Sequence, residues 1–64
     1  GNYKSFANSR AYRRYQTTSF YKKAIESMYD MARLMDGEEK KALYEQARKT
    51  KEMMINELDK IGDE

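Results

Sequence analysis

Three arginines, Arg10, Arg13 and Arg14, stand at i, i+3 and i+4. On a helix that spacing gathers them on one side, where guanidinium groups match the oxygens of a phosphate backbone. They belong to a wider segment. Residues 1–23 hold Lys4, Arg10, Arg13, Arg14, Lys22 and Lys23 and no acid, a local balance of +6, so the remaining residues carry −4. Six of the eight aromatic residues share the segment: Tyr3, Phe6, Tyr12, Tyr15, Phe20 and Tyr21. Cationic side chains neutralise phosphates, and tyrosine rings stack on exposed bases or donate their hydroxyls to the backbone. An ordinary solvated face intersperses charges of both signs. The first reading is therefore nucleic-acid binding through Lys4, Arg10, Tyr12, Arg13, Arg14, Lys22 and Lys23, mainly by phosphate contacts. DNA and RNA both fit. An acidic protein surface is a second possible partner. An anionic membrane ranks last, because the segment lacks the continuous apolar face of a membrane-lying helix.

Residues able to do covalent or metal chemistry are scarce. The chain has no Cys and no His, which removes thiolate chemistry, the commonest general base and the commonest transition-metal ligand. Adjacent acids such as Glu38-Glu39 and Asp63-Glu64 point about 100° apart on a helix and do not converge on one cation. They read as a favourable first turn and a frayed end. Asp36-Gly37-Glu38 lacks the spaced oxygen ligands and closing Glu of a calcium loop. No Gly-rich phosphate loop is present, and no Ser stands with a base. The expectation is a binding protein without enzymatic activity, metal or cofactor.

The elements that would carry these residues are helical. Pro is absent and Gly occurs three times, while 38% of the 64 residues are charged, a composition of helix formers. Tyr21, Ile25, Met28, Ala32 and Met35 are spaced by fours and threes and form one stripe of a helix spanning about residues 18–36. Ala24, Met31 and Leu34 widen it. Asp36-Gly37 is a stop, with Gly suited to the left-handed conformation and Asp to capping the next helix. A second helix over about residues 38–61 aligns Leu43, Ala47, Thr50, Met54, Leu58 and Ile61, flanked by Tyr44 and Ile55. So short a link makes the two helices antiparallel neighbours.

Continuing the first helix backwards at the same period puts Arg10, Arg14 and Thr17 on the apolar stripe. Burying arginines is costly, so a break or strong bend near Gln16 to Ser19 is expected, with a separate helix over about residues 4–15 whose Phe6, Tyr12 and Tyr15 are available to pack on the hairpin. The rival is one long helix whose first turns project beyond the hairpin, its arginines free to touch something else. The fold class is all-α: a short helical bundle within a single domain, residues 1–64. With 39% hydrophobic residues and neither disulfide nor metal, the remaining way to complete a core is a second copy of the chain. Dimerisation would also present two sets of the basic residues together. The five methionines, Met28, Met31, Met35, Met53 and Met54, lie on or beside the stripes and suit gap-filling or an adaptable interface. A protein interaction or assembly module working through these Met and Tyr faces is thus the alternative to nucleic-acid binding. No run of 18 apolar residues and no signal-peptide core is seen, so an intracellular, cytoplasmic location is expected. The opening Gly1-Asn2, without an initiator Met, reads as a piece of a longer protein.

Overall fold

A computed structural model describes residues 9–62. The described residues form two helices, α1 over Arg10–Ala32 and α2 over Gly37–Ile61, and these lie against each other as an antiparallel hairpin. In cross-section the Cα trace measures 19 × 10 Å, two helices wide and one helix thick.

Helix α1 begins at Ser9, whose backbone is extended and whose hydroxyl accepts a 3.1 Å hydrogen bond from the Tyr12 amide. This satisfies one of the orphan N–H groups of the first turn. From there the helix runs without interruption through Gln16, Thr17, Thr18 and Ser19, so the expected break is absent, and residues 10–15 belong to α1 rather than to a separate element. The remainder of the expected helix over residues 4–15, including Phe6, lies outside the described residues. The physical reason for the continuity is the fate of Arg14. It does sit on the stripe, as the periodicity requires, but it reaches the open end of α2, where terminal carbonyls lack helical partners. Its Nη1 donates to Leu58 O at 3.0 Å and to Gly62 O at 2.7 Å. A seam position that supplies acceptors does not strand a charge.

The other end of α1 differs too. The helix stops at Ala32, four residues before the expected boundary, and Arg33 to Asp36 form the link. Tight i to i+3 bonds from Leu34 N to Met31 O and from Met35 N to Ala32 O close its last turn. One residue, advancing at most about 3.5 Å, cannot carry the chain across the roughly 8–10 Å between packed helix axes. Four residues can. Gly37 is left-handed, at φ +60, yet it opens α2 instead of closing α1. Asp36 precedes α2 with extended backbone but makes no side-chain capping bond. Glu38 and Glu39 occupy the first turn of α2 and Lys60 the last, both favourable to the helix dipole.

The seam between the helices is thin. On α1 the covered residues are Arg14, Thr17, Tyr21, Ala24, Ile25, Met28 and Ala32, and on α2 Leu43, Ala47, Thr50, Met54, Leu58 and Ile61; Met35 covers the seam from the link. Among the described residues only Ala32, Ala47 and Thr50 are buried, at 0%, 1% and 7% exposure. Small residues at the closest approach let the backbones come together but enclose little apolar area. The Thr50 hydroxyl donates back to Gln46 O at 2.8 Å and contacts Met28 Sδ at 3.8 Å, which sets Met28 of α1 level with Thr50 of α2.

Candidate binding surfaces

The antiparallel return places the basic start of α1 beside the last turns of α2, which carry Glu57 and Asp59. A charge asymmetry that is large along the sequence is therefore smaller in space. Arg14 is committed to the two carbonyls at the end of α2. Arg10 lies near the same end, its Cδ 4.0 Å from where a β-carbon on Gly62 would stand. The triad does not act as one free cluster: of its members, Arg14 serves the fold, Arg10 borders Gly62, and Arg13 is exposed. Lys22 and Lys23 are exposed as well. Tyr12 is half-buried, and its hydroxyl accepts a 3.2 Å bond from Gln16 Nε2. Lys4 lies outside the described residues.

Two surfaces remain. The first is the outer face of α1, turned away from α2, where Tyr12, Tyr15, Gln16, Ser19, Phe20 and Lys23 line one shallow furrow. Tyr15 is 69% exposed and Phe20 71%, so Tyr15 does not pack on the hairpin as expected. The apolar periodicity assigns Phe20 no site of its own. What marks both is their phase: at about 100° per residue they fall outside the stripe defined by Tyr21, Ile25 and Met28. From Ser9 to Ile25, α1 carries no acid; Glu26 is the first.

The second surface spans both helices on one side of the hairpin. Thr18, Lys22, Ile25, Glu26 and Tyr29 of α1 and Lys51 and Met54 of α2 line an open groove. Next to it the Tyr29 and Tyr44 rings meet at 5.8 Å and 50°, a tilted pairing within the favourable range for aromatic contacts. Tyr29, Tyr44 and Ile55 are all exposed. The groove is apolar in its centre, with cations and one acid at its margin.

Among the described residues no cluster of three or more His, Cys, Asp or Glu is placed to hold a metal ion, and no helix is long and apolar enough to cross a membrane. The strongest charge arrangement is on the exposed back of α2, where Arg48 bridges Glu45 at 2.6 Å and Glu52 at 3.1 Å. The hydrogen bond from Arg48, reinforced by its charge, holds the Glu45 carboxyl below its ordinary pKa and raises that of the guanidinium. A solvated triad of this kind contributes little to stability. Compared with known proteins, the chain matches no family model, and neither a curated protein nor a solved structure matches it significantly.

Proposed function

We propose that the chain is a non-enzymatic assembly module that pairs with a second copy of itself through the Ile25, Tyr29, Tyr44, Met54 and Ile55 side of the hairpin. The observation that carries this reading is the thinness of the seam: among the described residues no large side chain is fully enclosed, while Tyr29, Tyr44 and Ile55 stay exposed on one side. Two helices of 23 and 25 residues gain little from propensity alone, and small scaffolds without disulfide or metal need added apolar burial. Two hairpins laid face to face form a four-helix bundle. The margin of the groove suits a twofold partner. Lys22 and Glu26 stand one turn apart on α1, and a twofold axis passing level with Ala24 brings each Lys22 against the other copy's Glu26.

Sedimentation equilibrium over a range of concentrations tests this. A dimer is expected, with Lys22→Glu or Glu26→Lys alone weakening it and the two together restoring it. A wild-type chain that stays monomeric and fully helical at millimolar concentration sinks the reading.

Nucleic-acid binding is the second reading, and one observation favours it specifically: the outer face of α1 presents Arg13 and Lys23 in an acid-free stretch that α2 does not cover. A dimer would duplicate that face. Fluorescence anisotropy of labelled oligonucleotides across a salt series tests it. Affinity should fall linearly on a log-log plot as counterions are released, and Arg13→Glu with Lys23→Glu should abolish binding while circular dichroism stays unchanged. Binding to an acidic protein with no oligonucleotide binding would replace this reading.

A further inference from the structure

We propose that the furrow on the outer face of α1 is a stacking site for unpaired bases of a single-stranded nucleic acid, with Tyr15 and Phe20 as its walls. The proposal rests on the second reading above and names the form of nucleic acid that the face would take.

An aromatic side chain carries a large apolar area that folding ordinarily hides. Tyr15 and Phe20 keep about 70% of theirs in water; Phe20 also borders, with Gln16, Thr17 and Tyr21, a second furrow to which α2 contributes Glu57. Neither ring lines the groove beside Tyr29 and Tyr44; Tyr15 stands two turns before Lys22 on the stripe of Lys22 and Glu26, while Phe20 stands on the other flank of the furrow. Five residues apart, the two rings point about 140° apart around the helix, so they stand on opposite flanks of the furrow and each offers a base its own face. Phe20 is steadied from behind by the edge of Tyr21, with ring centroids 5.5 Å apart at 79°. Between the two walls the furrow offers the Gln16 amide and the Ser19 hydroxyl, both able to bond a base edge, and Lys23 stands among them. Arg13 is exposed one turn before Gln16.

The chemistry of these groups selects among nucleic acids. Phosphates alone are served by lysine and arginine, and such binding is indifferent to strand form. Projecting rings add affinity only where a base has an uncovered π-face. Inside a duplex each face is already stacked, whereas a single strand presents it freely. With Lys23 in the furrow and the rings on its flanks, the face combines a phosphate contact with a stacking platform.

The test uses the full 64-residue chain and three probes of equal length: a base-bearing single strand, an abasic single strand, and a duplex. The base-bearing strand should bind at least about fivefold more tightly than the abasic one. Tyr15→Leu with Phe20→Leu, which keeps helix-forming side chains, should bring the two together without changing the salt slope. The chain has no Trp and six Tyr, so the part of the tyrosine quenching by the base-bearing strand that is lost in Tyr15→Leu reports stacking at the site. Equal binding of abasic and base-bearing strands overturns the stacking site and leaves phosphate binding standing. A duplex bound more tightly than the single strand likewise overturns it. Failure of all three probes at low salt removes the nucleic-acid reading itself.

Discussion

Arg14 is bonded to Gly62 across 48 residues of sequence: its Nη1 lies 2.7 Å from the Gly62 carbonyl oxygen, and 3.0 Å from that of Leu58. One guanidinium thus ties the second turn of α1 to the end of α2, giving a donor to the Gly62 carbonyl beyond the last helical turn and a second one to the Leu58 carbonyl, which already accepts the Gly62 amide. Arg14→Met keeps the aliphatic stem and removes the donors. Hydrogen bonds from a charged donor contribute more than neutral ones, but these carbonyls can rehydrate, so a loss of about 1–2 kcal/mol is expected. Thermal unfolding should show it as a fall of roughly 5–10 °C for a chain of this size. Unchanged melting with lost oligonucleotide binding would instead make Arg14 a ligand-binding residue.

Gly62 takes part in the same tie through its backbone. Its φ of +91 with ψ of 170 is a region that essentially only glycine occupies, and its amide also donates to Leu58 O at 3.0 Å. Gly62→Ala is therefore strained even though the nearest atom to the new methyl, Arg10 Cδ, stands 4.0 Å off. A double-mutant cycle with Arg14→Met should be non-additive: once the Gly62 carbonyl has moved, removing the guanidinium costs less. Additive losses would show that the two residues act separately.

The turn offers a simpler contrast. Gly37 sits at φ +60 with nothing within 4 Å of a β-carbon built on it, so the cost of Gly37→Ala is conformational alone, about 1–2 kcal/mol. Gly37→Asn should recover part of it, because Asn tolerates the left-handed region. Urea unfolding of both variants reads the order directly.

The hairpin was legible because its signal is periodic. Leu43, Ala47, Met54, Leu58 and Ile61 repeat at helical spacing, and all lie on the covered side of α2. Gly37 announced a left-handed residue but not which helix it would serve, since the length of the link depends on how far apart the axes pack. The continuity of α1 was hidden for a different reason. An arginine on an apolar stripe reads as a buried charge until its neighbour is known, and the acceptors for Arg14 belong to residues more than 40 positions away. Likewise the outward phase of Tyr15 and Phe20 follows from the period of α1 only once that helix is known to be unbroken. Which residues bind a partner was least legible, because exposed Arg13 and committed Arg14 are adjacent and chemically identical.

Thr50 is the one polar residue among the described ones that is buried in the seam, and its hydroxyl meets the carbonyl of its own preceding turn and a thioether. Gln46 O is also the helical acceptor position for the Thr50 amide, so deleting the hydroxyl strands nothing. Thr50→Val should leave stability unchanged or raise it by up to about 1 kcal/mol. Thr50→Asp, placing a charge against Met28, should unfold the hairpin under conditions where wild type is folded. A marked loss in the valine variant would mean that the contact with Met28 Sδ is worth more than a weak sulfur acceptor normally supplies.

Acid should reach the Glu45–Arg48–Glu52 triad before it reaches the seam. The Arg48 hydrogen bond, then its charge, depresses the Glu45 pKa in the folded chain. A depressed carboxyl contributes stability that is present above its unfolded pKa and lost as pH falls through the folded one. Glu45 should therefore titrate below the ordinary Glu value of about 4.3 in a carboxyl-carbon NMR titration, and Arg48→Gln should return it toward that value. Because all three side chains are more than half exposed, the accompanying change in stability should be small and should shrink further in high salt. The acid limb of the stability curve should accordingly be nearly the same for Glu45→Gln and wild type. A steep, salt-resistant loss of stability carried by Glu45 alone would mean that the triad is covered in solution, and the most direct source of such cover is a second copy lying on the back of α2 rather than on the Tyr29 and Tyr44 side.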